Sequence, residues 1–522
     1  MTRTSIPAHT SLAAGALSGA LLAVATAQVG LGLLAFAGLV PLLWAIDRGG
    51  SAAAAAGAGA AGGLVFFGCA VSWVPLAGFG GPLVLFLCIY VAGLASTWAA
   101  AAAALRWLRA RDRGLFLCAA PAIWVAAEFA RTQGALGYPW HQFGYALSAQ
   151  AELIQLAAFG GVHALSLWIV AVNVLLLASV RGAAPRSALV ASALVLLSPL
   201  ALAGRASEAL SGEEVRVAAV QPEVRQPGRG VRARFDANLN RLVALSDDVM
   251  RESPDLIVWP ESAYEAPLLS AGEPFLGSLA LHYGRPLLTG GWRVTGGDDG
   301  RLYNSAVLAR ADGRTQVAGD KVHPLPFYEG SPATWLGRGI ARLGLWPGRM
   351  GAGQSAGLVH LRLDRAGTAG GREVGLGVLI CVDSSYPDLS RDLRRRGAEL
   401  LVEISNEAQT GPWTAVQHAA VSRLRAVETG LPLVRVGNAG PTEWVDARGR
   451  VRARIPPGSP ASRSASLVIG APPTPFVRFG ASPALAAALL PLLALTLSRS
   501  ASGTSSTPSP PTPEETSPCP ES

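Results

Sequence analysis

Val374-Gly375-Leu376-Gly377-Val378-Leu379-Ile380-Cys381-Val382-Asp383 is an apolar run that ends abruptly on a thiol and a carboxylate. A run of Val, Leu, Ile and Gly this short suits a strand buried on both faces. Upstream, Asp255-Leu256-Ile257-Val258-Trp259 is another such run, closed by Pro260-Glu261. Strand patterns also fit Val215–Val220, Pro286–Gly290, Ser305–Ala309, Leu400–Ile404 and Leu433–Val436, while helical periodicity fits Phe235–Met250 and Trp413–Thr429. Strands interleaved with helices predict an α/β layered domain. Reactive groups in such folds gather just beyond strand C-termini, which is where Glu261 and Cys381 stand.

The composition on either side of this domain is different. Of 522 residues, 50% are hydrophobic and 15% charged, with a mean hydropathy of +0.35. A soluble enzyme would carry about a quarter charged residues. The excess is concentrated in residues 11–205, rich in Ala, Leu, Val and Gly, and in a second run at 479–497. The division predicts a transmembrane helical bundle over 1–205, a catalytic domain over 206–477, a C-terminal transmembrane helix over 478–498 and a disordered Ser/Thr/Pro-rich tail over 499–522. The formal charge of +8 does not point to nucleic acid. The arginines flank apolar runs or scatter over the α/β domain, and no aromatic-interleaved basic stripe is present. Of five cysteines, only Cys381 falls in the globular domain, so neither a disulfide framework nor a metal-ligand spacing can be built there.

A bilayer crossing takes about 20 mainly apolar residues. Seven spans are expected before the globular domain, near 11–26, 28–46, 53–77, 82–107, 114–131, 152–180 and 187–205, and an eighth over 479–497. The first two are short and almost contiguous, a pattern that suits a shallow hairpin. Ala25-Thr26-Ala27 looks like a signal-peptidase site, but apolar sequence resumes at once and favours an uncleaved helix. Arg3, Arg48, the group Arg106, Arg109, Arg111 and Arg113, and the pair Arg181 and Arg186 fall at alternate loops. The positive-inside rule therefore places the N-terminus and tail in the cytoplasm and the α/β domain outside it. Glu128 lies inside a span, and Arg131 is its expected structural partner three residues on. The outer loop Gly137–Tyr145, GYPWHQFGY, reads as an interfacial aromatic anchor or the wall of a lipid entrance.

Taken singly, the candidate site residues are ordinary. A strand-end glutamate is usually solvated, a cysteine after an apolar strand is usually inert core, and Lys321 would pass as a loop lysine. Together they make a chemistry. A lysine lowers the pKa of a nearby thiol, and a carboxylate can take and return its proton. The same lysine, with the backbone N–H of Val382, can stabilise an oxyanion.

WPES (Trp259–Ser262), GDKVHPLPFYE (Gly319–Glu329) and LICVD (Leu379–Asp383), in this order and with 60 residues from Glu261 to Lys321 and 60 more to Cys381, resemble the Glu, Lys and Cys motifs of the nitrilase superfamily. The stretch Leu400–Gly440, GYPWHQFGY and the arrangement of spans resemble one branch of it, the apolipoprotein N-acyltransferases. The resemblance implies an α-β-β-α sandwich outside the membrane, with Cys381 as nucleophile, Glu261 as general base and acid, and Lys321 as oxyanion stabiliser. It implies that Glu329 positions the lysine or the incoming amine, and that Trp259 and Phe327 shape an acyl pocket or simply pack the core. Asn406, Gln417, His418, Arg425 and Glu428 match family positions and read as structural. The family has an aromatic residue and Glu after the cysteine; this chain has Val382 and Asp383, a shorter acid and a missing aromatic wall.

The activity so implied is transfer of a fatty acyl group from a membrane phospholipid, through a thioester on Cys381, to the N-terminal amine of a diacylglyceryl-cysteine lipoprotein at the bacterial inner membrane. No cofactor or metal is expected, and no P-loop or dinucleotide fingerprint is found; a monomer is expected. The rivals are a membrane-tethered amidase or nitrilase, for which so many spans are excessive, and a catalytically silent lipid- or lipoprotein-binding protein. A transporter would need more intramembrane acids than Glu128.

Overall fold

The computed structural model describes residues 6–27, 30–72, 81–134, 137, 139–180, 194, 197–207, 210–224, 231–263, 274–295, 300–325, 329–330, 350–363, 371–408 and 410–503. In the first part these form α1 (Ala8–Thr26), α2 (Val40–Arg48), α3 (Ala52–Val71), α4 (Gly81–Arg111), α5 (Arg113–Ala130) and α6 (Ala157–Val180). Among the described residues five helices, α1 and α3 to α6, are long and apolar enough to cross a membrane, fewer than the eight spans expected.

The expected second span, 28–46, is where the count first departs. A 3-10 turn at Gly32–Leu34, a short turn at Ala35–Gly38 and the nine-residue α2 replace a continuous helix. Pro41 stands at the start of α2. The Asn173 side chain accepts from Leu39 N at 2.8 Å and donates to Ala35 O at 2.8 Å, serving backbone groups the break leaves over. The expected seventh span, 187–205, falls largely outside the described residues, as do Arg181 and Arg186.

Helices α1, α3 and α4 approach one another through small residues. A Cβ on Gly15 would lie 1.9 Å from the Ala58 carbonyl oxygen, and one on Gly63 2.7 Å from Ala95 Cα. In a bilayer, where lipid is as apolar as Leu, such close backbone contact is what holds helices together.

The rest of the chain builds two six-stranded sheets. The first, in order β12-β1-β2-β3-β4-β5, uses β1 (Glu213–Gln221), β2 (Leu256–Val258), β3 (Leu287–Val294), β4 (Leu302–Ala309), β5 (Thr315–Asp320) and β12 (Ala461–Ile469). The second, β11-β10-β9-β8-β7-β6, uses β6 (Gly357–Leu363), β7 (Arg372–Ile380), β8 (Leu400–Ser405), β9 (Leu433–Gly437), β10 (Thr442–Val445) and β11 (Val451–Ile455). Each has a parallel centre, β1-β2-β3 or β7-β8-β9, flanked by antiparallel strands.

Side-chain alternation sorts the layers. Val215, Val217 and Ala219 of β1 face the core between the sheets, with Val378, Ile380 and Val402 opposite. Ala218 and Val220 face outward, against α7 (Val231–Met250) and α8 (Pro274–Tyr283). On the far side, Leu379, Leu401 and Leu433 pack on α9 (Pro387–Arg395) and α10 (Gly411–Thr429). This is the expected α-β-β-α sandwich. Trp444 of β10 crosses between the sheets and donates from Nε1 to Val217 O at 2.9 Å.

The chain then passes through α11 (Pro475–Phe479) into α12 (Ser482–Gly503), at the place of the expected eighth span. Among the described residues its apolar part is Ser482–Leu493. The helix runs past the boundary expected at 498, and 504–522 lie outside the described residues. Helix α10 docks on α6, where the Glu428 carboxylate accepts from Val162 N at 3.1 Å across a break at Gly160–Gly161.

Candidate active site

Both sheets end their central strands at one place. Strand β2 delivers Trp259, Pro260 and Glu261, β5 delivers Lys321 directly after Asp320, and β7 delivers Cys381. Gly290 of β3 allows the first of these: a Cβ there would lie 2.7 Å from Glu261 Cα. Cys381 has φ +52°, a left-handed conformation costly for a non-glycine residue, in the first residue of a 3-10 turn Cys381–Ser385. A strained backbone at a candidate nucleophile is where such strain tends to be found.

The Lys321 ammonium lies 3.0 Å from Glu261 Oε1 and 2.8 Å from the Glu329 carboxylate. All three are buried, at 2%, 4% and 5% exposure, whereas Cys381 is partly exposed. Asn304 of β4 donates from Nδ2 to the same Glu261 Oε1 at 2.6 Å and lies 3.4 Å from Glu329 Oε1. Glu329 Oε2 accepts from Leu325 N at 2.7 Å, closing its own loop. Burial pushes Glu261 above the usual carboxylate range; Lys321 pulls the other way, and Glu329 adds to the rise. Burial also opposes the charge on Lys321, but Cys381, Glu261 and Glu329 together hold it well above its ordinary value. The Cys381 thiol is pushed up by burial and then by Glu261, against Lys321. Burial thus favours the thiol over the thiolate and makes Glu261 more basic, while the neighbouring acids favour a charged Lys321, a set suited to proton transfer at the moment of attack.

Asp383 stands between the lysine loop and the cysteine turn. Its carboxylate accepts from Val322 N at 3.1 Å and His323 N at 2.8 Å, so it pins the lysine loop to the cysteine turn. The shorter acid keeps a carboxylate at this joint. Val382 is buried beside it.

The N-terminal part, residues 18–175, matches the apolipoprotein N-acyltransferase N-terminal domain, and residues 216–461 match the carbon-nitrogen hydrolase family. A protein of Geobacter metallireducens named apolipoprotein N-acyltransferase is 31% identical over 84% of this chain and 86% of its own length. One of the same name from Allorhizobium ampelinum is 31% identical over 77% of this chain and 74% of its own. The chain belongs to the apolipoprotein N-acyltransferase family. It is accordingly an acyltransferase of the nitrilase superfamily with an apolar helical part.

Other positions singled out from the sequence fall elsewhere. Trp259 is fully buried on the helix side of the first sheet, donating from Nε1 to Ser246 Oγ at 2.9 Å, and is not brought to the cysteine. Phe327 lies outside the described residues. Glu128 and Arg131 pair at 3.6 Å, and Glu128 also accepts from Phe143 N at 3.0 Å, tying α5 to the GYPWHQFGY loop. Asn406 accepts from Asn438 Nδ2 at 2.9 Å, Arg425 pairs with Glu428 at 3.0 Å, and Gln417 sits half-buried on α10.

His418 belongs to a second network. Its Nδ1 is 3.1 Å from Glu407, its Nε2 is 2.9 Å from Ser384 Oγ, and its ring lies 5.5 Å from that of Trp140. Arg435 bonds Glu407 and, at 3.1 Å, Glu403. Asn304 and Ser384 escaped the sequence reading. Asn304 carried a signal, as a polar residue within the apolar stretch of β4; Ser384, one of two adjacent serines, carried none.

Proposed function

We propose that Cys381 attacks an ester carbonyl of a membrane phospholipid, forms a thioester, and passes the acyl group to the N-terminal amine of a lipoprotein. The observation that carries this reading is Lys321, held between Glu261 and Glu329, on a loop that Asp383 of the Cys381 turn binds through Val322 N and His323 N. In the first step the thiol proton goes to Glu261 as the S–C bond forms. Lys321 and the Val382 N–H face the developing oxyanion, and Glu261 returns the proton to the departing lysophospholipid hydroxyl. In the second step the amine attacks the thioester, Glu261 takes its proton, and the thiol is regenerated. A covalent intermediate divides one difficult transfer into two easier ones. Glu329 keeps the lysine in place throughout.

The family name supplies the acceptor class, lipoproteins. The apolar helices supply the reason for the architecture, since both substrates are lipids. Under this reading the α/β domain works on the outer side of a bacterial inner membrane, with both chain ends in the cytoplasm.

Intact-mass measurement after incubation with phospholipid tests the reading. The wild type gains a hydroxylamine-sensitive acyl adduct and Cys381→Ala gains none. A folded wild type that gains no adduct would favour the silent lipid-binding protein.

A further inference from the structure

A cavity of about 300 Å3 lies between the end of α5, the start of α6, the turn leading into α9 and the start of α12. None of Glu261, Lys321, Glu329 and Cys381 lines it. Tyr386 forms the wall toward the lysine loop, its ring stacked on His323 at 3.5 Å between centroids and its hydroxyl donating to Gly137 O at 3.3 Å.

The lining is chemically divided. Among the lining residues, Gln142 is 1% exposed with Oε1 lacking a hydrogen-bond partner, and His163 is 6% exposed with Nδ1 lacking one. Partnerless polar atoms buried this deeply call for a partner, water or a ligand among them. Beside them stands the fully buried Glu428 carboxylate, paired with Arg425. Toward the mouth, Arg391 spends Nε and Nη2 on the carbonyls of Val477 and Arg478, at 3.0 and 3.1 Å. Its Nη1 lies 3.8 Å from the exposed carboxylate of Asp388, which also lines the cavity, with Arg395 close enough to add positive charge. The rim includes Leu485 on α12 and Phe479, which is 50% exposed. A fitting occupant therefore carries N–H donors and positive charge at one end, negative charge a few ångströms away, and an apolar body beyond.

We propose that this cavity holds the headgroup of a resident phospholipid bearing a primary ammonium, bound apart from the reacting site. The ammonium donates to Gln142 Oε1 and His163 Nδ1 near Glu428, the phosphate lies at Arg391, and the chains run past Phe479 and Leu485 into the bilayer. A trimethylammonium headgroup has the charge but no N–H, so it cannot satisfy the acceptors. Such a lipid would seat α9 and α10 on the membrane.

The test uses the full chain carrying Cys381→Ala, so that nothing turns over, stripped of lipid in detergent and offered dioleoyl phosphatidylethanolamine or dioleoyl phosphatidylcholine. Native mass spectrometry then reads the bound lipid. The ethanolamine lipid should be retained about tenfold more tightly, the worth of one charge-assisted hydrogen bond. Adding Gln142→Met should erase most of that preference. Equal retention of the two lipids overturns the proposal without any cavity variant having to fold. So does a preference that survives Gln142→Met, since it would then come from the reacting site, and so does retention of no lipid, which would leave only water in the cavity. The acyl-donor reading stands or falls on the adduct formed by the wild type, a separate readout.

Discussion

Two buried clusters, one on each sheet, hold the same charges and put them to opposite use. At the ends of β2 and β5, Glu261 and Glu329 share Lys321; on β8 and β9, Glu403 and Glu407 share Arg435. Both cations are sealed from solvent, Lys321 at 2% and Arg435 at 0% exposure. Yet Glu261 is raised above its usual range, and Glu407 is held down at about 2. Burial raises both. Around Glu407 burial is outweighed only by the Arg435 guanidinium, His418 and Ser405 acting together, the last donating from Oγ at 2.6 Å. Around Glu261 a single ammonium is divided between two carboxylates that also repel each other. A planar fork with several donors fixes charge, whereas a point charge shared between two acids leaves one of them basic. The first arrangement makes a brace and the second a base.

The largest expected effect separates the two directly. Glu261→Gln should slow acyl-adduct formation about a thousandfold, within the usual range for a general base, while leaving the thermal midpoint nearly unchanged. Glu407→Gln should do the reverse, lowering the midpoint. Time-resolved intact mass and thermal unfolding in detergent read the two. If both variants lose adduct formation at unchanged midpoints, the second cluster is no mere brace and the contrast fails.

The cations come next. Arg435→Met strands Glu403 and Glu407 without their partner, at a cost of about 3–5 kcal/mol, seen as a lower midpoint. Lys321→Met should cost less stability, because Glu261 is already inclined to take a proton and so lose its charge. It should abolish adduct formation all the same. An equal loss of stability in the two would mean that Lys321 is as much a brace as Arg435.

The contrast also explains what could be read in the sequence. Glu261 and Cys381 were legible because each terminates an apolar strand, and strand ends bring reactive groups together whatever the intervening chain does; Lys321, after the mixed strand β5, was legible only through its motif and the chemistry it completes. The parallel centres of both sheets were legible for the same reason. Strands β5, β6, β11 and β12 were not, since they lie toward the sheet margins and are only partly buried, as in Val451–Ile455, and the buried β10 is only four residues long. The brace was invisible because Glu403 and Arg435 sit mid-strand, where a charge looks out of place until its partner is known. Trp259 misled: its neighbour Glu261 turns toward the site, while the indole packs against α7. The break at Gly32–Leu34 was hidden by uniform hydropathy, which cannot distinguish a span from an apolar turn served by Asn173.

Asp383 sharpens the comparison through pH. Burial, working against the Val322 and His323 N–H groups and Lys321, pushes its carboxyl up to about 7. Its pKa in the unfolded chain is about 3.9. Because the folded value is the higher one, the stabilisation is full below that unfolded value and is lost as pH rises through about 7, at a slope of up to about 1.4 kcal/mol per pH unit. The thermal midpoint should therefore fall between pH 5 and pH 7, and Asp383→Asn should flatten that fall. A midpoint that rises in the variant and the wild type alike over the same interval would show that Asp383 does not govern it.

The smallest expected effect concerns the one joint between the clusters. Ser384 Oγ donates to the Cys381 carbonyl at 3.1 Å, lies 2.9 Å from His418 Nε2, and accepts from Ser422 Oγ at 3.3 Å. The brace thus reaches the nucleophile through a hydroxyl, and the left-handed φ of Cys381 has to be held by its surroundings. Ser384→Ala removes about 1 kcal/mol of hydrogen bonding, and should slow adduct formation by about fivefold with little change in midpoint. Ser422→Ala removes the bond behind it and the Ser422 Oγ contact with the His418 carbonyl at 3.0 Å, leaves the Cys381 carbonyl its donor, and should do less. Were the two variants equally slow, the hydroxyl would matter as packing around the turn, and the two clusters would be independent. A graded loss, with Ser384→Ala the slower, would mean that the brace on the second sheet sets the geometry in which the base on the first can work.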